Sequence, residues 1–378
     1  MIWIAHRGNI YGPNKERENT EEYINEALKL GFDVEIDVWL INNEWYLGHD
    51  EPQHKTTLEF LKNDKFWCHA KNLCTLSELI KHKDIHTFSH DNDPVIITSK
   101  GYLWAFPGMP INSETIAVMP ERVNNYSEQQ LKNCKGICSD YVAHYKKRHE
   151  AQKRYAILIG GRINCADENL MEQLKANILS DDKIWFDVFL GLNSNTLKSK
   201  SKIIRNRAYC NKLFGPVILA SLVFRSYIIP RKYIDFKNKD SGTSAQNTLS
   251  MYYFNKVAFK LCKKYAEKQC IEYNALMKFR PDIINSKMVD IGDVVENTVY
   301  IPKYNDWNGG INDQIAYGNM KTMEKYCTLF DTIYNNLDNV ADYYLHPERM
   351  LLRHIITYKI DVQRVDYLYK LNSNRFKD

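Results

Sequence analysis

Apolar runs of strand length, spaced by turn residues and short helical stretches, recur through the first 142 residues. Ile2–His6, Asp33–Leu40, Phe66–Lys71, His86–His90, Val95–Thr98, Thr115–Met119 and Gly136–Asp140 read as strands. With helices between some of them, they predict a parallel α/β sheet or barrel. One helix is clearly marked between the first two strands. Asn19 is its expected cap, Glu22 the partner three residues on, Tyr23, Ile24, Ala27 and Leu28 its buried stripe, and Gly31 its stop. The stretch from Ala143 to Arg154 is charged and aperiodic, and predicts a junction. Beyond it a strand at Tyr155–Ile159, the pair Gly160-Gly161, a helix from about Ala166 to Leu179 and a strand at Phe186–Leu190 predict a β-α-β opening. A glycine turn there would let backbone N–H groups approach a diphosphate, with a purely structural turn as an at least equal alternative. Further helices are predicted over Thr248–Gln269, Asp313–Asp331 and Glu348–Ile356, with loops at Lys198–Arg207 and Lys237–Ser244.

A chain of 378 residues suits two domains, taking about 150 residues per domain as a guide. The pattern puts them at 1–145 and 153–378. Apolar residues at 44% are enough for two cores and exclude global disorder. The net charge of +5 is a mild excess without a basic stripe, which argues against nucleic acid as the partner. The best basic cluster, Tyr145 to His149, reads as a solvated linker. Nine cysteines with no CxxC pair read as reduced thiols, and a cytoplasmic location is expected. No run of about 18 apolar residues predicts a transmembrane segment. Nothing in the pattern indicates an oligomeric state.

Polar groups at the predicted strand ends carry the chemistry. Glu35 and Asp37 alternate with Val34, Ile36 and Val38, so both carboxylates leave one face of a strand whose other face is apolar. Two carboxylates aimed into a dry interior need a cation to offset them. Hard divalent ions take such oxygen ligands. His69 and Lys71 share the same two-residue relation. His6-Arg7 ends the first strand and His49-Asp50 follows a hairpin-like segment after the second. In a barrel these strand ends converge on one face. Two histidines suit proton removal and proton donation in phosphodiester cleavage, while cationic groups offset charge on the phosphoryl oxygens.

The set His6-Arg7-Gly8, Glu18-Asn19-Thr20, Glu35-x-Asp37-Val38 and His49-Asp50 resembles the glycerophosphodiester phosphodiesterases, within the phosphatidylinositol-phospholipase-C-like barrel group. The resemblance implies a compact TIM-barrel-like domain. It implies His6 and His49 as acid and base, with Arg7 and Lys71 on phosphate. It also implies Glu35 and Asp37 as metal ligands for Mg²⁺, Ca²⁺ or Mn²⁺, and Glu18 as a substrate-side residue. The family usually has Glu-x-Lys where this chain has His69-Ala70-Lys71, so His69 becomes the third candidate ligand. Its softer nitrogen weakens a preference for Mg²⁺ or Ca²⁺. A stretch of about 140 residues is also short for a barrel that typically takes about 250.

In the C-terminal half, the opening strand, Arg280-Pro281-Asp282, Asn312-Asp313-Gln314 with Tyr317-Gly318, and His346-Pro347-Glu348 resemble a group of sugar-nucleotide glycosyltransferases with a GT-A-like fold. That resemblance implies a nucleotide sugar as donor and a glycan acceptor. Asp282 would lie near the diphosphate, Arg280 and Gln314 would bind substrate, and Asp313 would be a candidate base. Asp313 as a helix N-cap is the equal alternative. The combined expectation is a two-domain carbohydrate-processing enzyme, a phosphodiesterase barrel joined to a glycosyltransferase-like domain, suited to assembling a phosphate-containing glycan. The alternative keeps catalysis in the C-terminal domain, with the barrel a degenerate sugar-phosphate binding module. A non-enzymatic scaffold is the third reading.

Overall fold

In the strand Asp33–Ile41, Val34, Ile36 and Val38 face one side and Glu35 and Asp37 the other, and all five are buried. A strand covered on both faces belongs in the interior of a sheet, and that is its place in the computed structural model of this protein. The chain divides into two compact units, Met1–Glu150 and Ala151–Asp378. The structure describes residues 1–371 except 92, 124, 162–182, 194–221, 226, 229–244, 281, 282, 285–290, 308, 339–345 and 368. The helix expected at 166–179 and the loops expected at 198–207 and 237–244 lie wholly or mainly outside the described residues.

Among its described residues the first unit contains ten strands: β1 (Ile2–His6), β2 (Asp33–Ile41), β3 (Glu44–Leu47), β4 (His54–Thr56), β5 (Phe66–Ala70), β6 (Thr87–Phe88), β7 (Val95–Ile97), β8 (Leu103–Ala105), β9 (Thr115–Val118) and β10 (Gly136–Ser139). Seven of them pair in parallel in the order β6-β5-β2-β1-β10-β9-β8, while β7 and the β3-β4 hairpin add antiparallel edges. No ladder among the described residues joins β6 to β7, so the closed eight-stranded ring of a TIM barrel is not formed. Hydrogen bonds of the segment after β7 cross that gap instead. Ser99 N donates to Thr87 O at 2.9 Å, and His86 Nε2 lies 2.7 Å from Thr98 Oγ1.

The two faces of this sheet have different jobs. Ala5, Val34, Ile36, Val38, Cys68 and Ala70 form a core with Ile24 and Ala27 of helix α1 (Glu21–Lys29). On the opposite face Ile4, Trp67, Phe88, Trp104, Val118 and Cys138 form a second apolar layer. Two residues further along their strands, the same pleat phase brings His6, His69, His90 and Asp140. The polar layer therefore rests on an apolar floor.

Two local expectations are corrected. Thr20, not Asn19, caps α1 by accepting from Tyr23 N. Asn19 instead takes a left-handed φ of 60° and turns to Asp37, accepting from its N and donating to its Oδ2, both at 3.0 Å. The expected junction is largely a helix, Val142–Glu150, because Val142 and Tyr145 bury against the first unit and Lys146 lies over Phe32. A charged helix with a narrow apolar contact gives little periodic signal.

In the second unit a seven-stranded sheet runs β13 (Leu222–Arg225), β12 (Ile184–Asn193), β11 (Lys153–Gly161), β14 (Ala275–Phe279), β16 (Ile315–Gly318), β15 (Thr298–Pro302), β17 (Asp361–Val365). The first four are parallel, and β16 is antiparallel to both of its neighbours. From Tyr155 to Ile159 the β11 run is apolar in every position because both faces are covered. Ala156 and Leu158 pack on Leu249, Tyr252 and Phe259 of the long helix Ala245–Gln269, while Tyr155, Ile157 and Ile159 join Met277 and Phe279 in a separate cluster.

Gly160 serves that packing. A Cβ there would stand 2.4 Å from Asn255 N and 2.5 Å from Phe254 C on the long helix. The glycine pair expected as a diphosphate turn is thus the end of β11, with Gly160 pressed against helix backbone. The helix expected from Asp313 is also corrected. Ile315–Gly318 is a buried strand and Asn319 caps the helix Met320–Cys327, which excludes Asp313 as an N-cap.

Candidate functional site

Along β1, β2 and β5 the register sets His6 beside Glu35 and Asp37 beside His69. A cavity of about 260 Å³ opens above this layer, lined by His6, Arg7, Glu35, His49, His69, Lys71 and His90, with Trp104, Phe106 and Met119 as apolar wall. Of the residues expected at this site, only Asp37 and Glu18 lie behind the lining. Asp37 is fully buried under it, and Glu18 accepts from Arg7 Nη1 at 3.3 Å and from Asn9 Nδ2 at 2.9 Å.

Glu35, Asp37 and His69 each offer a ligand atom, and these atoms lie within 4.8 Å of one another. His69 Nδ1 is 3.0 Å from Asp37 Oδ1 and 3.7 Å from Glu35 Oε1. Glu35 is 3% exposed, and its Oε2 has no hydrogen-bond partner among the described residues. A buried carboxylate oxygen without a donor is costly to keep, and a cation would satisfy it. Asp37 Oδ2 is held by Arg7 Nε at 2.9 Å and by Asn19, which turns Oδ1 toward His69 and toward Lys71 Nζ at 3.4 Å. The donor set fits a divalent cation.

The two carboxylates titrate apart. Burial raises the Glu35 pKa, and the neighbouring charge of Asp37 adds to it. For Asp37 burial works upward too, but the His69 hydrogen bond and the Arg7 charge outweigh it and hold the group well below the usual carboxylate range.

His6 Nδ1 is 2.7 Å from Asp140 Oδ1, and its Nε2 is 3.8 Å from Glu35 Oε2. Asp140 is held in turn by Asn9 Nδ2 at 2.9 Å, and its backbone N donates to Glu121 Oε1 at 3.1 Å. Burial alone would lower the His6 pKa, but the Asp140 hydrogen bond and the Glu35 charge carry it above the ordinary value. His49 moves the other way. Partial burial and the Arg7 charge lower it, and its Nδ1 lies 2.6 Å from the exposed Asp50. His90 stacks on His69 with ring centroids 4.5 Å apart, and burial, then the charge of His69, push it down to about 4.

Sequence reasoning missed Asp140, Asn9 and His90. The signal for two of them was present: Asp140 follows Cys138, and His90 follows Phe88, at the same two-residue step that selects Asp37 and His69.

This geometry makes a testable statement about pH. A histidine whose folded pKa is raised keeps its proton to higher pH and loses it as pH rises through that folded value. If His6 donates the proton, phosphodiester turnover falls on the alkaline side at a pH above the ordinary histidine value of about 6.5. Asp140→Asn is expected to move that limb toward acid. An unmoved limb would remove His6 from the acid role.

The second unit brings Asp313, Gln314 and Arg280 together, while Asp282 lies outside the described residues. Asp313 is 1% exposed, neither carboxylate oxygen has a hydrogen-bond partner among the described residues, and Arg280 Nη1 stands 4.0 Å away. Lys278 Nζ meets the Asp313 backbone O. Gln314 Oε1 accepts from Tyr369 Oη at 2.7 Å, and Arg280 N donates to Gln314 O at 3.0 Å. Glu348 adds a second buried carboxylate, 2.8 Å from His346 Nδ1, and burial with the charge of Asp313 raises its pKa to about 7.

A raised acid is most stabilising while protonated, so its contribution is present below the ordinary value of about 4.3 and lost as pH rises through about 7. Glu348→Gln is expected to flatten that decline in a thermal-melting series from pH 4 to 8. The same slope in wild type and variant would remove Glu348 as its source.

No family model matches this chain. No curated protein matches it either. Among solved structures it is similar to the glycosyltransferase GlyE of Streptococcus pneumoniae TIGR4, with 13% identity and a TM-score of 0.30 over 57% of this chain and 46% of that one. It therefore spans under half the length of GlyE. It is similar also to the galactosyltransferase LgtC, with 13% identity and a TM-score of 0.29 over 53% of this chain and 70% of that one. Mouse xyloside xylosyltransferase 1 shows 10% identity and a TM-score of 0.29 over 56% of this chain and 85% of that one. Nothing in these comparisons supports a phosphodiesterase barrel. No helix among the described residues is long and apolar enough to cross a membrane.

Proposed function

We propose that this chain is a carbohydrate-processing enzyme whose C-terminal unit transfers sugar from a nucleotide donor. In this reading the N-terminal unit takes a phosphate diester at a divalent-cation site. One observation carries the N-terminal part. Glu35, Asp37 and His69 share one candidate ion position beneath a cavity that His6, His49, Arg7 and Lys71 also line.

Cleavage is the chemistry this set of residues supports. Arg7 and Lys71 draw the phosphoryl group in and offset its charge. His49, lowered and half-exposed, takes a proton from the attacking water. The P–O bond to the leaving alcohol then breaks, and His6 Nε2 gives that oxygen its proton. Asp140 holds the His6 ring in place for the transfer. A bound divalent ion would add charge stabilisation at the phosphoryl oxygens, with Glu35, Asp37 and His69 as its holders. For the C-terminal part, support comes from Asp313, buried without a hydrogen-bond donor beside Arg280 and Gln314.

A second reading keeps catalysis in the C-terminal unit and makes the N-terminal site a sugar-phosphate binding module. Asp37 favours it, because His69, Arg7, Lys71 and Asn19 already surround that carboxylate. The solved glycosyltransferases agree with this reading, but a TM-score of 0.30 adds no weight.

The deciding experiment follows hydrolysis of an aryl phosphodiester and of glycerophosphodiesters by the full chain with Mg²⁺, Ca²⁺, Mn²⁺ or Zn²⁺ added. Ion-dependent turnover supports cleavage. Sugar-phosphate binding without turnover supports the module, and neither result with any ion removes both.

A further inference from the structure

We propose that the N-terminal ion site selects a late first-row transition ion, Zn²⁺ foremost, over Mg²⁺ and Ca²⁺, and that His69 sets this choice. The inference rests on the reading of Glu35, Asp37 and His69 as ion holders given above.

Three observations support it. The first is the donor set. Oxygen-only sites suit Mg²⁺ and Ca²⁺, whereas an imidazole nitrogen beside two carboxylates suits zinc and its neighbours. The second is reach. His69 Nδ1 lies 3.0 Å from Asp37 Oδ1 and 3.7 Å from Glu35 Oε1, so the nitrogen is within reach of an ion that both carboxylates could share. That nitrogen is what disfavours Mg²⁺ and Ca²⁺.

The third is rigidity. His69 is stacked on Phe88 at an interplanar angle of 0° and on His90 at 6°, and its Nδ1 lies 3.0 Å from Asp37 Oδ1 and 3.7 Å from Glu35 Oε1. Asn19 and Arg7 hold Asp37 Oδ2, so Oδ1 is the oxygen presented to the ion. Outer contacts of this kind orient ligands and sharpen affinity. Glu35, buried and with Oε2 unpartnered, supplies the third ligand. Three protein ligands with the cavity beside them are the arrangement of a reactive ion position, not of a closed structural one.

The test uses the full chain, stripped of ions with a chelator. ZnCl₂, CoCl₂, MgCl₂ and CaCl₂ are each titrated calorimetrically with no substrate present, and the visible absorption of the Co²⁺ form is recorded. Wild type is expected to bind one Zn²⁺ about 100-fold more tightly than Mg²⁺ or Ca²⁺. His69→Glu is expected to cut Zn²⁺ affinity about tenfold or more, to strengthen Ca²⁺ or Mg²⁺, and to change the Co²⁺ spectrum. His69→Gln is expected to lose Zn²⁺ without adding charge, which covers the case in which His69→Glu does not fold.

Equal affinity of wild type for Zn²⁺ and Ca²⁺ or Mg²⁺ overturns the inference. So does a ranking that survives both substitutions. Phosphodiester hydrolysis in a protein that prefers Mg²⁺ or Ca²⁺ leaves the activity standing and removes the inference alone. Selective Zn²⁺ binding lost with His69, in a protein without hydrolysis, supports the inference and removes only the cleavage step. Failure to bind any ion removes both.

Discussion

His6→Ala is expected to lower phosphodiester turnover by about 10³-fold while the N-terminal unit stays folded, since a positioned acid or base contributes roughly 10²–10⁴-fold. The side chain sits at the end of β1, with Nδ1 engaged by Asp140 at 2.7 Å and Nε2 on the cavity side, 3.8 Å from Glu35. Removing it deletes the proposed proton donor and leaves the candidate ion ligands untouched. The loss should therefore fall on kcat more than on KM. Asp140 retains a hydrogen bond from Asn9, so its carboxylate is not stranded. Steady-state kinetics beside a thermal melt separate the two effects. Full activity in a folded variant would take His6 out of the chemistry, and a collapsed melt would make it a structural residue.

Gly160→Ala is expected to destabilise the C-terminal unit by about 1–3 kcal/mol, the range of overpacking a close-packed interior. The added methyl carbon would meet Asn255 N at 2.4 Å, Asn255 Oδ1 at 2.5 Å and Phe254 C at 2.5 Å. Two of those three atoms belong to helix backbone, which cannot swing aside as a side-chain tip can. The neighbouring strand repeats the device, since a Cβ at Gly191 would stand 2.6 Å from Phe254 O. Gly161→Ala is the control. Its Cβ would meet nothing within 4 Å among the described residues, although its φ of 129° carries backbone strain of its own. Denaturant unfolding of the full chain reads both variants. An unshifted transition for Gly160→Ala would show that the strand and the helix part easily. Nucleotide binding lost at unchanged stability would restore the diphosphate role to this turn.

Much of the first unit is legible in the residues themselves. Two-residue alternation at Glu35 and Asp37 predicts a shared face because strand geometry is local, and β2 obeys it. The same step along the other strands sets His6, His69, His90 and Asp140 in one layer. The helix after β1 is legible for a similar reason, since its stripe depends on a fixed period. Its cap was misassigned because Asn19 and Thr20 are both able caps. A long-range partner, Asp37, decided between them.

What the chain could not specify locally was set by contacts distant in sequence. Whether the parallel strands close into a ring depends on the meeting of β6 with the segment after β7, which side-chain and single backbone bonds make in place of a ladder. The charged segment at 142–150 became a helix because Val142 and Tyr145 found apolar cover. Gly160 reads as a turn in sequence, and only the approach of helix backbone explains it as a packing residue. Asp140 joins His6 across 134 residues. By itself the sequence determined which side chains share a strand face, because that follows from backbone periodicity. The tertiary structure decided which faces meet, which carboxylates stay without a donor and which glycines have no room for a methyl group, because those depend on burial shared between remote segments.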